Sequence, residues 1–128
     1  MKTILVDAID GFVIEGKGVF KEMYDLLETF PNRKIILTGA KYGKFKELGL
    51  ANMPYAVFTL EHSPEKTDPN YFNTLLKNFN LRQNDIVYFE HNPEAVKSAQ
   101  SVGINTYFYD NDKKDLKALK EFLDKNLQ

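Results

Sequence analysis

The sequence predicts an α/β domain built on a parallel sheet. Two features carry this expectation: short apolar runs recur along the chain, and segments with apolar residues at helical spacing separate them. A third is the punctuation at the joins, where proline, glycine and capping residues stand. Strand–helix alternation of this kind implies βαβ units, with helices covering both faces of the sheet.

Thr3-Ile4-Leu5-Val6 reads as a fully buried first strand, and it ends abruptly in Asp7. Asp10 and Gly11 follow, then the apolar Phe12-Val13-Ile14 and the glycines Gly16 and Gly18, which indicate a tight connection or small hairpin. Val19, Phe20, Met23, Leu26, Leu27 and Phe30 recur at helical spacing, and Pro31 closes that helix. Lys34-Ile35-Ile36-Leu37 is a second strand, leaving through Thr38 and Gly39. Tyr42, Phe45 and Leu48 form a short amphipathic segment that Gly49 stops. Residues 54–59 make a third strand.

The polar loop Glu61 to Thr67 contains Pro64 and Lys66, and Asp68-Pro69 starts a helix as N-cap plus first-turn proline. Phe72, Leu75, Leu76 and Phe79 give it a buried face. Residues 85–90 form a fourth strand, again ending in a carboxylate, Glu90. Asn92-Pro93 repeats the cap-plus-proline device for a helix with Ala95, Val96, Ala99 and Val102 inward, and Gly103 suits its left-handed cap. Residues 105–109 are a fifth strand, and Leu116, Leu119, Phe122, Leu123 and Leu127 mark a terminal amphipathic helix.

Bulk composition excludes several function classes. A chain of 128 residues has room for one domain, 1–128, with one core of ordinary size. With 43% hydrophobic and 27% charged residues it reads as globular, not disordered. A net charge of −1 with interspersed signs supplies no basic field for nucleic acid. The absence of cysteine removes disulfides, thiolate metal sites and a thiol nucleophile. The chain opens on a strand and no apolar stretch approaches membrane-spanning length, so a cytoplasmic location with no membrane partner is expected.

Chemistry is expected at the strand ends, where open α/β sheets place their ligands. Taken singly, Asp7 is a carboxylate after a strand, Thr38-Gly39 a strand exit, Lys66 a surface lysine and His91 a polar residue at a helix entry. Taken in order, Asp7, Thr38, Lys66 and Glu90 resemble the four motifs of the haloacid dehalogenase (HAD) superfamily. The stretch Glu65-Lys66-Thr67-Asp68-Pro69-Asn70-Tyr71-Phe72 looks like the family's lysine motif. Val87-Tyr88-Phe89-Glu90-His91-Asn92-Pro93-Glu94 looks like its acidic motif, and Ala99-Gln100-Ser101-Val102-Gly103-Ile104 like the segment that follows.

The resemblance implies a Rossmann-like three-layer domain whose five-stranded parallel sheet has the order 5-4-1-2-3, bringing Asp7, Thr38 and Glu90 to one crevice. It implies a phosphatase in which Asp7 forms an aspartyl-phosphate and Lys66 assists as a point charge. Thr38 and a backbone N–H of the Gly39 turn would bind phosphoryl oxygens. It further implies Mg²⁺ held among Asp7, Asp10, Glu90 and His91, with Mn²⁺ or Zn²⁺ as alternatives because imidazole is a poor Mg²⁺ ligand. The implied partner is a phosphorylated substrate, small or macromolecular.

The chain departs from the family pattern in three places. The first motif should be Asp-x-Asp, but here it is Asp7-Ala8-Ile9-Asp10, which puts Ile9 where an acid/base carboxylate belongs. Asp10 can serve only if the backbone bulges by one residue beside Gly11. The fourth motif has His91 where relatives carry a second acid. No residues are left over for the cap domain many relatives carry, so the open site would act on large substrates or be covered by a second copy. Phe12-Val13-Ile14 is either such a contact or a flap packed on its own core. These departures leave a second reading, a catalytically impaired HAD-like module that binds phosphate ligands or proteins. A receiver domain is the wrong reading, because the third strand ends in Thr59-Leu60-Glu61 without the aspartate such domains phosphorylate.

Overall fold

Each of the first four main strands presents alternate residues to two different cores, and this alternation builds the molecule. The computed structural model describes residues 1–128. The main sheet comprises β1 (Thr3–Asp7), β4 (Lys34–Leu37), β5 (Ala56–Phe58), β6 (Ile86–Glu90) and β7 (Asn105–Phe108), all parallel, in the order β5-β4-β1-β6-β7. Counted without the two hairpin strands described below, this is the expected 5-4-1-2-3 read from the opposite edge.

Ile4 and Val6 of β1, Ile36 of β4 and Val87 and Phe89 of β6 point to one face. There they meet Met23 and Leu27 of α1 (Lys21–Glu28) and Leu119 and Leu123 of α5 (Leu116–Asn126). Leu5, Ile35, Leu37, Ile86 and Tyr88 point to the other face. They pack on Tyr71, Phe72, Leu75 and Leu76 of α3 (Pro69–Phe79) and Ala99 of α4 (Pro93–Ser101). Because the sheet is covered on both sides, β1 and β6 are buried at every residue.

The capping signals act as expected. Asp68 accepts from the Asn70 N–H at 2.9 Å and Asn92 from the Glu94 N–H at 3.0 Å, each with proline in the first turn. Gly49 (φ +80°) ends the short helix α2 (Phe45–Leu48), and Gly103 (φ +87°) follows α4.

One boundary differs from the sequence expectation. Val19 and Phe20 do not begin the first helix. Val13–Ile14 (β2) and Gly18–Val19 (β3) pair as an antiparallel hairpin, and Phe20 precedes α1 as its N-cap. Left-handed Gly16 and Gly18 permit the tight reversal, which competes successfully with the helical pattern. Phe12 and Val13 are fully buried, with the Phe12 ring 5.4 Å from that of Tyr55, so this segment packs on the chain's own core. The stretch between β1 and β4 is filled by the hairpin and α1, and that between β4 and α3 by α2 and β5.

Register then fixes what the strand ends bring together. Val6 lies opposite Phe89, so Asp7 stands level with Glu90; Asp7 lies opposite Leu37, so Thr38 is one residue beyond.

Candidate active site

Asp7 is almost completely buried (1% exposed), and both of its oxygens are held. Lys66 Nζ donates to Oδ1 at 2.9 Å. The His91 backbone N–H donates to Oδ2 at 3.0 Å, and His91 Nδ1 bonds the same oxygen. Lys66 reaches in from the loop ahead of α3 and also donates to Glu90 Oε1 at 2.7 Å, bridging the two carboxylates. Glu90 is wholly buried and held at both oxygens: Tyr88 O–H bonds Oε1 beside Lys66, and the Asn92 N–H donates to Oε2 at 3.0 Å, which leaves Oε2 one lone pair.

These contacts set the charges. Burial alone would raise the Asp7 carboxyl, but Lys66 and His91 outweigh it and hold it at about 2. Glu90 goes the other way: burial and the neighbouring Asp7 charge raise it, against the opposing pull of Lys66 and Tyr88. Burial works against the Lys66 ammonium, yet Asp7 and Glu90 prevail and raise it. His91 is raised by its bond to Asp7, with burial opposing. Tyr88 is pushed well above its usual value by burial and by Glu90, so it remains a donor.

Thr38 closes another side. Its Oγ1 accepts from the Ala40 N–H at 3.1 Å, which leaves its own proton free for a ligand. Tyr71, buried in α3, donates to the Thr38 carbonyl at 2.8 Å and anchors the strand exit. Asp7, Thr38, Gly39, Lys66, Glu90 and His91 all line one cavity of about 310 Å³, at the small end of ligand sites. Donor atoms of Asp7, Glu90 and His91 lie within 4.8 Å of one another, close enough to share a cation.

Asp10 is the exception among the residues picked out from sequence. It does not line the cavity; Ile9 does. Asp10 adopts a left-handed backbone (φ +67°), and its N–H donates to the Val13 carbonyl at 2.7 Å, so it belongs to the turn into the hairpin. The turn is tight: Phe12 N–H donates to the Asp7 carbonyl at 2.9 Å, and Gly11 passes over Asp7 where a Cβ would sit 2.5 Å from that oxygen. A bulge that would bring Asp10 into the aspartate position is not formed.

Three participants lacked a sequence assignment. Tyr88 stands two residues before Glu90 on the same strand, the spacing that puts both on one face, so it was open to recognition. His62 and Glu65, which also line the cavity, gave no signal beyond lying in a polar loop.

No protein-family model matches the chain, and no curated protein matches it. Solved structures do. A candidate phosphoglycolate phosphatase from Lactobacillus plantarum aligns with TM-score 0.62 at 16% identity, covering 76% of this chain and 50% of that one. An uncharacterized protein from Corynebacterium glutamicum aligns with TM-score 0.62 at 16% identity, over 97% of this chain and 93% of that one. The N-terminal part of BF1531 from Bacteroides fragilis, containing a phosphatase domain complexed with Mg, aligns with TM-score 0.64 at 15% identity, over 92% of this chain and 39% of that one. The fold is HAD-like. The chain spans half the length of the Lactobacillus protein, while the Corynebacterium protein shares its fold over chains of nearly equal extent.

Proposed function

We propose that this chain is a phosphatase, a phosphoric monoester hydrolase acting through Asp7. One observation carries the reading: a buried carboxylate is kept ionised by a bridging lysine and an imidazole inside a small cavity at the C-terminal end of the central strand. A carboxylate offers about four lone-pair positions. Two donors share Oδ2 and one takes Oδ1, so Oδ1 retains a lone pair for attack on phosphorus. Thr38 Oγ1–H and the Gly39 turn would hold phosphoryl oxygens, and Lys66 would balance the charge that collects between Asp7 and the phosphoryl group.

The donor set fits a divalent cation. Asp7 and Glu90 would supply oxygens to Mg²⁺, with substrate and water completing its shell, and His91, on losing its proton, would supply a nitrogen to Mn²⁺ or Zn²⁺. Bound there, the cation would offset the repulsion between an anionic substrate and Asp7. Asp10 has no part in this proposal.

The test is hydrolysis of p-nitrophenyl phosphate with Mg²⁺, Mn²⁺ and Zn²⁺ in turn, beside Asp7→Asn. The substitution is expected to lower kcat by about 10³-fold or more. Activity that survives it refutes the aspartyl-phosphate route.

A further inference from the structure

We propose that His62, positioned by Glu65, is the proton donor to the leaving group and the proton acceptor from water in this cavity; the proposal rests on the phosphatase reading above. Cleavage of an alkyl phosphate ester needs a group that can protonate the departing oxygen. At the end of β1 the cavity presents Ile9, which carries no proton.

The other cavity residues that titrate are committed elsewhere. Lys66 is bonded to both carboxylates, and Glu90 is buried beneath it with three donors on its oxygens. His91 grips Asp7 itself. In an in-line displacement the leaving oxygen departs on the far side of phosphorus from the nucleophile, away from a group bound to that nucleophile. Lys41 and Lys44 are exposed side chains.

His62 has no bond to either buried acid. It lines the cavity, its side chain is 49% exposed, and its one bonded partner is Glu65. Glu65 Oε1 bonds His62 Nδ1 at 2.5 Å, which fixes the ring and leaves Nε2 for a ligand. Imidazole is the side chain that most often carries protons in catalysis.

The pair stands against the proposed phosphoryl-binding turn. A Cβ at Gly39 would lie 3.1 Å from Glu65 Oε2 and 3.6 Å from His62 Nδ1. The loop holds His62 there in an unusual backbone. Glu61 and His62 both have left-handed φ, at 54° and 67°, a conformation that side chains other than glycine adopt at a cost. Thr59 Oγ1 accepts from the Glu61 N–H at 3.0 Å, and Glu61 Oε2 accepts from the Tyr42 N–H at 3.3 Å, tying the loop down.

The steps balance. Asp7 Oδ1 forms a bond to phosphorus as the P–O bond to the alcohol breaks, and His62 Nε2–H gives its proton to that oxygen, releasing ROH. Water then attacks the aspartyl-phosphate, His62 Nε2 takes the proton, and the bond between Asp7 and phosphorus breaks to release phosphate.

The experiment is kcat/KM for p-nitrophenyl phosphate, phenyl phosphate and an alkyl phosphate with wild type, His62→Gln and Glu65→Gln. Nitrophenolate leaves with little help from an acid, whereas an alkoxide needs the proton. His62→Gln is expected to cost less than about 10-fold on the nitrophenyl ester and about 10²–10⁴-fold on the alkyl ester. Glu65→Gln should show the same trend with smaller losses, and circular dichroism melting should leave both variants folded. Equal losses on all three esters, or none on any, overturns the role of His62 and leaves the phosphatase reading intact. A wild type that hydrolyses none of them overturns both.

Discussion

Lys66→Met removes the cation that joins two buried carboxylates, and its consequence can be worked from the contacts. At an effective dielectric of about 20, a unit charge pair at the observed 2.9 Å or 2.7 Å attracts by roughly 6 kcal/mol. Much of that is offset by desolvation of all three groups, since Asp7 and Glu90 are 1% and 0% exposed and Lys66 is 15% exposed. Removing only the lysine leaves the desolvation of the acids without its compensation, a situation that costs about 3–5 kcal/mol. With unfolding entropy of roughly 2.1 cal/mol/K per residue over 128 residues, the melting midpoint should fall by about 10–20 °C.

The pH dependence gives the diagnostic sign. Glu90 is already raised above its ordinary value, by burial first and by Asp7 next. Loss of Lys66 raises it further. A group whose folded pKa exceeds its unfolded one favours folding below the unfolded value, and that advantage is lost as pH rises through the folded value. Lys66→Met should therefore be much less destabilised near about pH 5 than near about pH 8. Urea denaturation at the two pH values measures this, and adding Glu90→Gln should recover part of the loss. A destabilisation below about 1 kcal/mol that does not vary with pH would refute the picture of Lys66 as an obligatory counter-charge.

Two further expectations follow from neighbouring contacts. His91 is raised chiefly by its bond to Asp7, so the ion pair stabilises the fold fully below the unfolded histidine value of about 6.5 and is lost as pH rises through the higher folded value; wild-type stability should decline across that range, and His91→Gln should flatten the decline in a pH series of urea titrations. Gly11→Ala places a methyl 2.5 Å from the Asp7 carbonyl oxygen and 3.0 Å from its Cβ, so the turn must shift; the expected cost is about 1–3 kcal/mol in denaturation, with a fall in phosphatase kcat of up to about 10²-fold as Asp7 is displaced.

Much of the fold was legible because it rests on local signals that agree with one another. The apolar runs of β1 and β6 are unbroken because both faces are covered, and Asp68-Pro69 and Asn92-Pro93 start their helices as such pairs should. Asp7, Thr38, Lys66 and Glu90 were legible through the order of their motifs, and register brings them level. Val19 was misread because a hairpin turn at left-handed glycines outweighed helical periodicity. The placement of Asp10 was open in sequence, since two backbone paths fit Asp7-Ala8-Ile9-Asp10, and only the hydrogen bonds of Phe12 and Asp10 select one of them. His62 was illegible for a different reason. Its place beside Gly39 depends on a loop after β5 meeting a turn after β4, a contact that no local pattern encodes.

The loss of a carboxylate at Ile9 and the gain of an imidazole at His91 act on one charge balance. Asp7 and Glu90 present two acids to the site, and Lys66 with a protonated His91 supplies two cations, so the buried cluster can be neutral with no ion added. A third acid from the end of β1 would leave it negative. Ile9 instead adds apolar surface to the cavity wall. The arrangement keeps Asp7 ionised in the absence of substrate. On the proposal above, the demand for a mobile proton then falls outside the neutral cluster, on His62 and Glu65, which line the same cavity.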